Sequence, residues 1–315
     1  MLPCFSVARL VRSISIPVSV SVLSASVLMS ASFAQAANER TLSTKFGDVT
    51  LSGDPQRVVV LEDEALDTAL ALGLNPVATL ATRGGTGVPV YLQDRVGDIK
   101  IVGSVREPNL EAVFAMKPDL IIASRNLDKA LYEKLSMMAP TVVQESSFAT
   151  PWKESVVFYG KALNREAETQ HKLDALTEKM ADLKRKLPKD TVLSVVRWNP
   201  QGPIVMSDQL FVGQILTELG LKSAAIAGEL NGRPHSDILS LENLSKVDGD
   251  WVILATLNSD GQAALDTAKE QPAFARLGAV EKGHVVAVDG QIWSSGSGML
   301  AAESVLDTIA EHLAE

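Results

Sequence analysis

Apolar and polar positions along this chain change period in a regular order. Arg57–Leu61 (RVVVL) is a short continuous apolar run, which predicts a strand covered on both faces. Glu64–Leu72 follows with helical spacing and stops at Gly73. Pro76–Leu80, Ile99–Val102, Leu120–Ala123 and Thr141–Gln144 are further predicted strands, and Asp128–Met138 is a helix ahead of Ala139-Pro140. Between two of these strands, Leu110, Val113, Phe114 and Met116 recur at helical spacing. Pro118 ends that helix, because it cannot continue the hydrogen-bond ladder and biases Lys117 towards extended backbone. Strand–helix alternation of this kind predicts a mainly parallel sheet with helices on its faces.

The middle of the chain differs. Residues 164–187 contain no Gly or Pro, and Leu173, Leu176, Met180, Leu183 and Leu187 form one apolar stripe on a charged helix. Two readings are open, a coiled-coil dimer segment or a long helix between two domains; the stripe is short for the first. Alternation then resumes: Thr191–Arg197, Trp251–Ala255 and His284–Val288 as strands, Val212–Leu219 and Gly298–Leu313 as helices. Ser240–Val247 is a short helix with Ser240 as its N-cap. The fold class expected is α/β with two lobes, 37–163 and 188–315, on either side of the helix at 164–187.

Residues 1–36 stand apart. Arg9 and Arg12 precede an uncharged run, Ile14–Ala31, that ends in Ala34-Gln35-Ala36, the layout of a signal peptide cleaved after Ala36. An uncleaved anchor is the alternative; six serines and Pro17 within the run lower the hydrophobicity a spanning helix needs. Cleavage would remove Cys4, the only cysteine, and leave 27 basic against 38 acidic residues, net −11. That balance argues against nucleic acid or an anionic membrane surface as partner. The expected location is the periplasm.

Catalytic patterns are missing. No G-x-S-x-G elbow precedes a helix, and Ser294-Ser295-Gly296-Ser297-Gly298 lacks its neighbours. His171, His235, His284 and His312 are scattered, with no spacing suited to a metal. Arg83-Gly84-Gly85-Thr86-Gly87 lacks the Lys-Ser/Thr ending of a phosphate loop and reads as a mobile loop. What remains is a set of cations and aromatics at predicted strand ends or in the loops after them: Arg83, Arg106 and Arg125 in the first half, then Arg197, Trp198, Arg233 with His235 in a Gly/Pro loop, and Trp293. In parallel sheets ligands bind outside the carboxyl ends of the strands, and a planar Arg fork suits carboxylate, catecholate or hydroxamate oxygens. Any one of these could be an ordinary surface Arg; their recurrence at the equivalent edge of both halves is the signal.

With Pro55–Leu61, Ala65–Gly73, Glu107–Glu111, Lys117–Ile122 and Ala139–Val143 in this order and spacing, the chain resembles the periplasmic iron–siderophore-binding proteins of ABC importers, of the ferric-citrate and ferrichrome type. The resemblance runs from about Gly53 to the C-terminus. It implies a class III binding protein, two α/β lobes joined by one rigid long helix, with a ferric siderophore held in the cleft between them. It implies no catalysis and no cofactor, since iron arrives wrapped in its chelator, and a monomer. Glu111 and Glu242 match surface glutamates that dock onto an inner-membrane ABC permease dimer, with Glu107 competing with Glu111 for that role. Arg197 matches an Arg ending the first strand of the second lobe, and Trp293 a Trp near the cleft of citrate-type members. The basic residues that follow that Trp in some members are missing from Ser294–Gly298, which counts against ferric dicitrate. Same-fold binding of haem, cobalamin or another chelate is an alternative, as is a cleft enzyme such as a siderophore esterase.

Overall fold

Thr44 and Gly47 turn the chain into the hairpin with which the described part begins. The computed structural model describes residues 39–314, together with Met1. The expected signal peptide, its cleavage site and Cys4 lie outside those residues. The hairpin is β1 (Glu39–Thr44) and β2 (Gly47–Ser52), which buries Leu42 and Leu51. The first lobe continues as β3 (Val58–Leu61), α1 (Asp63–Ala71), β4 (Ala78–Ala81), β5 (Lys100–Ser104), β6 (Glu107–Pro108), α2 (Leu110–Ala115), β7 (Leu120–Ala123), α3 (Lys129–Ser136) and β8 (Thr141–Val143). Its sheet has the order β6-β5-β4-β3-β7-β8, parallel except for β6. Both central strands are buried on both faces. Val58 and Val60 join one core cluster with α1, while Val59 and Leu61 join another beneath α2 and α3. Period-two alternation thus splits a continuous apolar run between two cores.

Two helices, α4 (Trp152–Ala162) and α5 (Glu166–Lys184), lead into the second lobe. That lobe comprises β9 (Val192–Asn199), β10 (Gly202–Val205), α6 (Phe211–Glu218), β11 (Lys222–Ser223), α7 (Ala225–Gly228), β12 (Trp251–Thr256), α8 (Ser259–Lys269), α9 (Pro272–Ala275), α10 (Gly278–Glu281), β13 (Val285–Asp289), α11 (Gly290–Trp293) and α12 (Met299–Leu313). Its sheet runs β10-β9-β12-β13 with β11 on β9, parallel except for β10. All of the first sheet precedes α5 and all of the second follows it. The α5 stripe, Leu173, Leu176, Met180 and Leu183, buries against α12 in the core of the second lobe. On α4, Trp152 and Val156 belong to that same core, whereas Tyr159 and Ala162 belong to the first.

One local expectation fails and two hold only in part. In α2 only Val113 is buried and Phe114 is 67% exposed, because the helix is six residues long and shows the sheet a single turn. Lys117 takes a left-handed φ of 48° rather than extended backbone, reversing the chain after the helix. Ser240 stands at the N-cap of the turn Leu241–Val247, which is 3₁₀, but its side chain makes no cap bond.

Candidate functional site

The carboxyl ends of both sheets meet around one cavity of about 670 Å³. From the first lobe, β3 delivers Glu62, Asp63 and Glu64, β4 delivers Arg83, β5 delivers Arg106, and β7 delivers Arg125. From the second, β9 contributes Arg197, the strand pairing around Met206 brings in His235, and the segment after α11 contributes Ser294–Ser297. Strand polarity does the positioning: in parallel sheets all these ends open to the same side.

Four expected cations, Arg83, Arg106, Arg125 and Arg197, therefore line one cavity. Trp293 borders it as well, but is only 2% exposed and packs into the second core, so it is wall rather than free ring. Two expected residues are elsewhere. Trp198 is buried on the opposite face of β9, edge-on to Phe274, because neighbours on a strand point to opposite sides and Leu193, Val195 and Arg197 take the cavity side. Arg233 lies exposed and pairs with Asp237 at 3.1 Å; the chain enters the wall only at Pro234 and His235.

Arg197 has no carboxylate partner among the described residues, and its Nε is buried without a hydrogen bond. Burial and the neighbouring Arg83 both disfavour its charged form and lower its pKa. Arg125 lies 4.0 Å from Glu64, a carboxylate almost wholly buried in the wall. His235 Nδ1 donates to the Ser236 carbonyl at 2.8 Å, which leaves Nε2 as the ring's other polar atom.

An acidic group at the start of α1 was not anticipated. Burial pushes Asp63 up to about 6, against a hydrogen bond from Thr82 Oγ1 at 2.6 Å. Burial likewise pushes Glu64 up to about 7, while Ser297 Oγ donates to it at 2.7 Å from the other lobe. Asp67, also raised by burial to about 7, accepts from Leu300 N and Ala301 N at 2.9 Å each and from Tyr91 Oη at 3.0 Å. It caps the N-terminus of α12 across the lobe boundary, the end that favours a carboxylate. Gly298, at φ 115°, lets the chain pass against that carboxylate, where a Cβ would collide. The signal for this group was present: Glu62-Asp63-Glu64 directly follows the β3 run, the same kind of position that singled out the arginines.

Chemically the site offers anion-binding forks and hydroxyls. Among the described residues, no three His, Cys, Asp or Glu side chains are grouped to hold a metal ion. No helix there is long and apolar enough to cross a membrane.

The profile of the periplasmic binding protein family matches residues 58–292. The probable siderophore-binding lipoprotein YfiY of Bacillus subtilis is 31% identical over 278 residues, 83% of each chain. The Fe(3+)-citrate-binding protein YfmC of the same organism is 32% identical over 273 residues, 85% of this chain and 84% of that one. Among solved structures, Staphylococcus aureus SirA complexed with staphyloferrin B superposes with a TM-score of 0.75 at 25% identity, covering 87% of this chain and 98% of that one.

Proposed function

The chain belongs to the periplasmic binding protein family, and we propose that it captures a ferric siderophore between its lobes and delivers it to an inner-membrane ABC permease. The observation that carries this reading is Arg197, a mostly buried guanidinium with an unsatisfied Nε and Arg83 as its charged neighbour. A cation without a counter-charge costs stability unless an anion arrives. A ferric chelate bearing carboxylate or catecholate oxygens supplies that anion. The siderophore and citrate ligands named for similar proteins agree with it.

In this reading Arg83, Arg106, Arg125 and Arg197 hold the chelate, with His235 and the hydroxyls of Ser294–Ser297 at the rim. Trp198 and Arg233 have no part in it. The protein is a binder rather than an enzyme, works as a monomer, and is exported to the periplasm with cleavage after Ala36. The lobes are residues 37–163 and 188–315, with the helix at 164–187 between them. Glu111 and Glu242, both exposed and each in the first turn of its helical segment, dock on the permease. The test is mass spectrometry of protein purified natively from iron-starved cells. A ferric siderophore is expected; haem, cobalamin or a hydrolysed chelate would replace this reading.

A further inference from the structure

Glu64 is hard to account for as part of an anion-binding wall. Its carboxylate is 5% exposed, lies in the lining of the cavity, and accepts Ser297 Oγ from the second lobe. The guanidinium within reach is that of Arg125, at 4.0 Å. So the cation that faces the ligand is shared with a buried anion behind it. A second anion in the cavity competes with Glu64 for Arg125.

We propose that Glu64 is a positioning residue for Arg125 that takes up a proton when an anionic ligand draws Arg125 into the cleft. The proposal rests on the capture reading above, since it needs an anionic ligand in this cavity. Without ligand, Arg125 stays beside the carboxylate and favours its ionised form. With ligand, Glu64 loses part of that compensation and gains a nearby negative charge, and both effects favour the neutral acid. The proton comes from solvent, and the neutral carboxyl still has an oxygen to accept from Ser297. Proton uptake therefore holds Ser297 and the lobe contact in place while Arg125 is released.

Every charged group near Glu64 acts in a known direction. Glu62 and Asp67 on either side of it along the chain favour the neutral form, and Arg125 opposes it. On α4 the phenol of Tyr159 is raised first by burial and then by the charge of Glu64. Burial already places Glu64 near neutrality, at about 7, so a modest change in its surroundings alters its protonation at working pH. Asp63, raised by burial to about 6, adds its own titration lower in the range.

The sign follows from linkage. A group whose pKa rises on binding makes the ligand bind more tightly as pH falls from the bound pKa to the free one. The limiting slope is about tenfold in affinity per pH unit for one proton. Isothermal titration with ferric citrate, ferric staphyloferrin B and ferric bacillibactin in buffers of different ionisation enthalpy measures the uptake, using whichever probe binds tightest. Near pH 7.5 the wild type is expected to take up roughly half to three-quarters of a proton more per ligand than Glu64→Gln, which keeps the side-chain size. Ser297→Ala removes the hydroxyl that favours the ionised acid, and is expected to move the uptake maximum to higher pH. Equal uptake by wild type and E64Q, with binding retained in both, overturns the proposal and leaves the capture reading standing. Failure of the wild type to bind any of the three chelates, together with native protein that carries no ferric siderophore, overturns the capture reading, and this proposal with it.

Discussion

Arg197 occupies a position that folding alone disfavours: on an inner strand, mostly buried, beside another arginine and lacking a partner for Nε. Replacing it with Ala removes an unpaired charge from the wall, so the fold is expected to tolerate the change. Binding should weaken by about 10- to 100-fold, the range set by hydrogen bonds to a charged group at ~1.5–3 kcal/mol. Fluorescence-quench titration against Arg185→Ala, a change at the exposed C-cap of α5 outside the cavity lining, checks this. Equal affinities would remove Arg197 from the site. The residue was legible in the sequence because it closes an apolar strand; Trp198 was misassigned for the same reason. Adjacent strand residues cannot both face one cavity, and only the sheet reveals which of the two does.

Among the helices, one with a single buried face was legible and one that serves two cores was not. The stripe on α5 is continuous because the whole helix packs into one core. By contrast, α4 divides its buried residues between two cores and includes Ser155 and Gly160 among them, so no apolar period survives. Strand β10 begins with Gly202-Pro203, a poor strand signal, yet Pro203 is tolerated because β10 is an edge. Gly160 has a definite role. A Cβ there would collide with the Thr169 side chain, with Thr169 Cβ at 2.8 Å, so this glycine lets α4 and α5 approach. Gly160→Ala is expected to destabilise the protein by about 1–3 kcal/mol through overpacking, read as a lower midpoint in denaturant unfolding. An unchanged midpoint would mean the two helices separate freely.

Across the whole molecule, the lobes are tied by polar contacts as well as by chain. Asp67 caps α12, Ser297 bonds Glu64, and Gln291 Oε1 accepts Val90 N at 2.8 Å. Three of the carboxylates at this corner, Asp63, Glu64 and Asp67, have raised pKa values in the fold. The folded state thus binds more protons than the unfolded chain between pH ~4 and ~7, and stability falls as pH rises through that window. Thermal melts are expected to shift upwards from pH 8 to pH 5.5, with a smaller shift in Glu64→Gln. A flat or reversed profile would contradict it. At the same scale, the double change Glu111→Lys and Glu242→Lys should leave ligand affinity intact, because both residues are exposed and outside the cavity lining, yet abolish iron uptake in cells. Normal uptake would refute the docking assignment.

By itself the sequence determined the order of strands and helices, the two-lobe α/β class and the presence of arginines at strand ends, because period and polarity are local properties of the chain. Tertiary structure decided which of those residues share a cavity, since that depends on register, on strand face and on how two sheets approach each other. It turned Trp198 away, left Arg233 with Asp237, and set Glu64 behind Arg125 with Ser297 reaching it across 233 positions of chain. A buried carboxylate is an unfavourable feature that no local pattern announces. Only the donors and cations that the fold gathers around it explain how it is kept.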